Sequence, residues 1–120
     1  MMDNIKSLQE SLQEKEKTMP VLFIGHGSPM NGIEHNEFSE GWSGITKQIE
    51  TPEAIIVVSA HWMTRGTRVT AMQAPPTIHD FGGFPKELYD VQYPAPGDPE
   101  LATSLQGSIK STPVGLSHEW

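Results

Sequence analysis

Cysteine is absent from these 120 residues, which removes disulfides, thiolate metal ligands and thiol nucleophiles together. Positive charge is scarce as well: 8 Lys and Arg stand against 15 Asp and Glu, a formal net charge of −7. The few basic residues are scattered. Nucleic-acid binding, which depends on neutralising phosphates with Lys and Arg, is therefore not expected. No apolar run approaches the ~20 residues needed to span a bilayer, so no membrane partner is expected. The opening Met1-Met2-Asp3-Asn4 has neither the basic region nor the apolar core of a signal peptide. With no cysteine, this is compatible with a cytoplasmic protein.

What the chain does contain is a short series of punctuated apolar segments. Ile5, Leu8 and Leu12 fall at helical spacing among polar residues and predict an amphipathic helix within Asn4 to Lys17. Val21-Leu22-Phe23-Ile24 and Ala54-Ile55-Ile56-Val57-Val58 read as buried strands. Between them, Phe38, Trp42, Ile45 and Ile49 mark one face of a helix over 34–49. Strand, helix and strand in this order predict a βαβ unit with parallel strands. Thr67 to Met72 alternates as a third strand. Asp98 caps a predicted helix through about Ile109, with Pro99 in its first turn. Thr112 to Leu116 starts a further strand. Between Ala74 and Gly97 lies a long loop rich in proline and aromatics, a kind of segment that usually carries function.

Chemistry concentrates at the ends of the apolar runs. His26 sits in Gly25-His26-Gly27-Ser28-Pro29, and His61 in Ser59-Ala60-His61-Trp62. Taken singly, each is most simply a turn or strand-end histidine bonded to a nearby carbonyl. If the two strands are parallel neighbours, both imidazoles reach the carboxyl-terminal crevice where open α/β sheets build their sites. Together they read as half of a metal site, histidine being the commonest metal ligand. His79-Asp80 lies in the aromatic loop; His79 suits a base, a group supporting a ligand, or a substrate contact. Local turn chemistry, with Asp80 bonding its own backbone, is the alternative. His35 and His118 have only polar or terminal contexts. Ser28 lacks the Gly-x-Ser-x-Gly elbow of a nucleophile, and Gly25-His26-Gly27 lacks the ending of a phosphate loop.

Four blocks in order carry a resemblance to a known family. They are Pro20–Met30, Ile56–Trp62, Thr77-Ile78-His79-Asp80-Phe81-Gly82-Gly83-Phe84-Pro85, and Tyr89-Asp90-Val91-Gln92-Tyr93-Pro94-Ala95-Pro96-Gly97. The chain resembles the class III extradiol ring-cleavage dioxygenases, in the LigB-like branch that includes DOPA dioxygenases. The resemblance implies that His26 and His61 are metal ligands of one mononuclear non-haem site, holding Fe(II) or, in some members, Zn(II). It implies a small catechol-type substrate and dioxygen as partners. His79 is the candidate catalytic residue, and Ser28, Trp62, Asp80 and Phe84 are candidate substrate contacts. The family's remaining ligand and its acid–base histidine fall beyond the matching blocks.

The expected architecture is therefore α/β, a mostly parallel sheet with flanking helices, incomplete as the amino-terminal half of a larger LigB-like domain. Residues 1–18 form a helical extension and 19–120 the first part of the catalytic domain. An isolated half would expose apolar surface, so self-association into a homo-oligomer is compatible with it. Two other classes stay open at this point: a zinc-dependent hydrolase of similar α/β fold, and a non-catalytic binding module presenting the aromatic loop.

Overall fold

The computed structural model describes residues 18–120. The helix anticipated within residues 4–17 lies outside the described residues. The chain divides into two compact units, Met1–Ile56 and Val57–Trp120. Each is described by itself.

In the first unit, a 3-10 turn over Pro29–Gly32 is capped by Ser28, whose hydroxyl accepts from the Met30 N–H at 3.2 Å. Helix α1, Glu37–Thr46, begins at Asn36. The Asn36 side chain accepts from the N–H groups of Phe38 and Ser39, and the Ser39 hydroxyl accepts from the Asn36 N–H. This reciprocal capping satisfies donors that the first helical turn would otherwise leave unpaired. Glu37 and Glu40 add negative charge at the positive end of the helix dipole. The helix is shorter than the expected 34–49. The cap fixes its start, and glycines at 41 and 44 weaken the last turns.

The second unit holds the sheet. Strands β1, Thr67–Thr70, and β2, Val114–Ser117, pair in parallel with Thr67 opposite Val114 and Thr70 opposite Ser117. The ladder extends through the Ala71 N–H to the Ser117 carbonyl at 2.7 Å. Parallel strands need a crossover of a dozen or more residues. Here it includes the short helix α2, Lys86–Tyr89, and helix α3, Pro99–Ser108. Asp98 caps α3 through Leu101 N–H at 2.9 Å, and Pro99 occupies its first turn, as the sequence predicts. Helix α3 packs on both strands, and Gln106 Nε2 donates to the Val114 carbonyl at 2.7 Å. Among the described residues, Ala71, Leu88, Ala102 and Val114 are the buried apolar ones. Full burial of a residue such as Leu88 or Val114 is worth about 1.5–3 kcal/mol, so this core is thin.

The α/β class with a parallel sheet holds, but the strands that form it are not the leading pair. Segments 21–24 and 54–58 carry neither helix nor strand. Val21, Phe23 and Val58 are 97%, 102% and 97% exposed. Continuous apolar runs of this type become strands when both faces are covered and both edges paired. The described residues supply neither, so the expected βαβ unit over 21–58 does not form. The parallel pair is instead made by the two later segments, whose crossover helix buries Ala102. Among the described residues, no helix is long and apolar enough to cross a membrane.

Candidate metal centre

His26 stands on a turn made possible by Gly27, whose φ of +64° is a conformation that other residues rarely adopt. Its ring Nδ1 lies 3.0 Å from the Gly27 carbonyl oxygen. A carbonyl can only accept, so Nδ1 is the donor in this bond. The turn is held from outside by asparagines. Asn31 Nδ2 donates to the His26 carbonyl at 3.0 Å, and Asn36 Nδ2 donates to Asn31 Oδ1 at 2.8 Å. The residue that caps α1 thereby also supports the His26 turn.

His61 is anchored through the same ring nitrogen by a different route. Its backbone N–H donates to Ser59 Oγ at 3.1 Å, and its Nδ1 lies 2.7 Å from Asp80 Oδ2. A carboxylate oxygen accepts this bond, so Nδ1 of His61 is the donor to Asp80. The two side chains are 54% and 35% exposed, and a pair this accessible adds about 0–1 kcal/mol to stability. Its effect is on ring orientation more than on folding.

His79 is anchored through the other ring nitrogen: its Nε2 donates to the Val91 carbonyl at 2.8 Å. The ring meets Phe81 edge-on at 5.9 Å and tilts against Tyr89 at 6.3 Å. Phe81 in turn contacts Phe84 at 5.4 Å and Tyr89 at 5.1 Å. Thr77 Oγ1 accepts from the Tyr93 N–H at 2.9 Å, so two bonds close the loop from 77–79 onto 91–93. The aromatic loop is an internally packed structure.

The sequence-predicted residues thus separate into groups. The second unit brings His61 and Asp80 together, and gathers His79, Phe81, Phe84 and Tyr89 into one cluster. Trp62 stacks on Trp120 with centroids 6.3 Å apart and planes 20° from parallel. Ser28 caps a turn in the first unit. Among the described residues, no group of three or more His, Asp or Glu side chains forms a metal cage. The donor chemistry nonetheless suits a divalent transition metal. Both expected ligand histidines have Nδ1 in hydrogen-bond contact with an oxygen, the arrangement that metal-bound histidines almost always show. Sequence reasoning did not find Asn31 and Asn36 as supports of His26. The Asn36-x-x-Ser39 capping pattern was the signal for one of them. The bond between Asp80 and His61 spans 19 residues and leaves no local trace.

A family profile described as the catalytic LigB subunit of aromatic ring-opening dioxygenase matches residues 18–119. A relative from Escherichia coli (strain K12) named 4,5-DOPA dioxygenase extradiol is 57% identical over 101 residues, 84% of this chain and 37% of that protein. Proteins of the same name from Beta vulgaris and Mirabilis jalapa are 43% and 38% identical, over 71% and 75% of this chain and 33% and 35% of their own lengths. The chain spans about a third of the length of the curated relatives it matches.

Proposed function

This chain belongs to the LigB family of aromatic ring-opening dioxygenases, and from that premise we propose that it contributes metal-binding and substrate-binding residues to extradiol cleavage of a catechol. The observation that supports the reading is the contact of each histidine's Nδ1 with an oxygen, the Gly27 carbonyl for His26 and the Asp80 carboxylate for His61. In this reading both serve as ligands through Nε2. Fe(II) or Zn(II) suits imidazole donors, and the bound metal would supply a Lewis-acid position for the catechol oxygens and, as iron, electrons for reaction with dioxygen.

The remaining roles follow from the chain's own groups. His79, fixed with its hydrogen on Nε2, has Nδ1 as a proton acceptor, and in the proposal it takes a proton from a catechol hydroxyl. Phe84 and Trp62 offer flat apolar surfaces to a planar ring. The Ser28 hydroxyl accepts from Met30 N–H and keeps its own hydrogen to donate to a substrate oxygen. The relatives' names point to DOPA as the catechol to try first.

The test is a chimera in which residues 18–119 replace the matched segment of the Escherichia coli relative. Loaded with Fe(II), it is expected to consume dioxygen with L-DOPA and give a yellow ring-opened product. A folded, iron-loaded chimera that leaves catechols intact would overturn the reading.

A further inference from the structure

The loop over 77–93 is packed on itself, yet its one carboxylate directed at another segment is Asp80, which reaches back to His61. Asp80 has no helix to hold it. Its two chain neighbours are held instead: His79 by the Val91 carbonyl, and Phe81 by contacts with Phe84 and Tyr89. The Phe81 carbonyl also accepts from the Tyr89 hydroxyl at 3.3 Å. A residue anchored on both sides presents its side chain in a narrow range of directions. At the other end of the bond, the Ser59 hydroxyl holds the His61 backbone, so the imidazole has its main chain and its Nδ1 both fixed.

We propose that Asp80 is a positioning residue for His61, and that the aromatic loop serves to hold its carboxylate there. Asp80 keeps the His61 hydrogen on Nδ1 and the ring plane fixed, so that Nε2 is the donor offered to a metal. The inference rests on the reading of His61 as a metal ligand. It reassigns Asp80 from substrate contact to support of that ligand. Carboxylate partners of this kind are worth 10- to 100-fold in metal affinity where they have been removed, on the order expected here.

The experiment combines Zn(II) titration with nitrogen NMR of the histidine rings, on the wild-type chain, Asp80→Ala, Asp80→Asn and His61→Ala. In the wild type, His61 is expected as the Nδ1–H tautomer. Asp80→Ala should shift that tautomer and weaken Zn(II) binding roughly 10-fold or more. Asp80→Asn keeps an acceptor oxygen and should recover part of both. Circular dichroism should be the same for all, because an exposed pair contributes little to folding. If Asp80→Ala keeps the Nδ1–H tautomer and the wild-type Zn(II) affinity while His61→Ala loses zinc, the positioning role is refuted and the ligand reading survives. If His61→Ala binds zinc like the wild type, the ligand reading fails, and the positioning role that rests on it is refuted with it.

Discussion

At the scale of single residues, the chain places its constraints on backbone approach and on the anchoring of histidine rings. Gly97 is the tightest case. A Cβ built there would lie 1.9 Å from the Met72 carbonyl oxygen, where the Gly97 N–H also donates to the Gln73 carbonyl at 2.9 Å. The Met72 carbonyl is backbone, so it cannot swing away. Gly97→Ala should cost about 1–3 kcal/mol or more through overpacking, seen as a lowered denaturation midpoint. A wild-type midpoint would mean that the end of the aromatic loop does not close against the end of β1. The histidines were legible at this scale because flanking glycines and apolar runs mark them. Their bonding was less so: the partner of Nδ1 is adjacent for His26 but 19 residues away for His61. A sequence reports what a residue is and what its neighbours are; it is silent on which distant carboxylate closes on it.

At the scale of elements, local chemistry decided what was readable. Asp98, Pro99 and Glu100 spell a helix start, and α3 begins there. The Asp98 side chain satisfies the Leu101 N–H. Asp98→Ala should therefore destabilise the unit Val57–Trp120 by about 1 kcal/mol, within the 0.5–2 range for lost caps, while Asp98→Asn should be close to neutral. Urea denaturation followed by circular dichroism measures both, and an Ala variant as stable as the wild type would contradict the capping role. Strand segments follow a different rule. Thr67–Thr70 and Val114–Ser117 find each other because α3 covers them. Val21–Ile24 and Ile55–Val58 have the stronger apolar pattern, yet remain outside any sheet. A pattern states what a strand would bury, and the partners that bury it are a tertiary condition the pattern does not contain.

At the scale of the whole molecule, the exposed apolar side chains dominate behaviour in solution. Val21, Phe23, Val57 and Val58 are each at least 77% exposed, a degree that soluble chains usually restrict to small patches. The chain should self-associate as its concentration rises, and replacing Phe23 and Val58 with lysine should reduce this without loss of helix content. Sedimentation velocity reads the outcome; a wild-type chain that stays monomeric at every concentration would show that these segments are covered in solution. The proposed function makes a more specific claim, that His26 and His61 are metal ligands and His79 is not. It is tested most directly by the iron content of the chimera with the Escherichia coli relative after dialysis against excess Fe(II) without oxygen. The account predicts near-stoichiometric iron in the parent chimera and in His79→Ala, and almost none in His26→Ala or His61→Ala. Iron retained in full by either of the last two, in a folded protein, would contradict it.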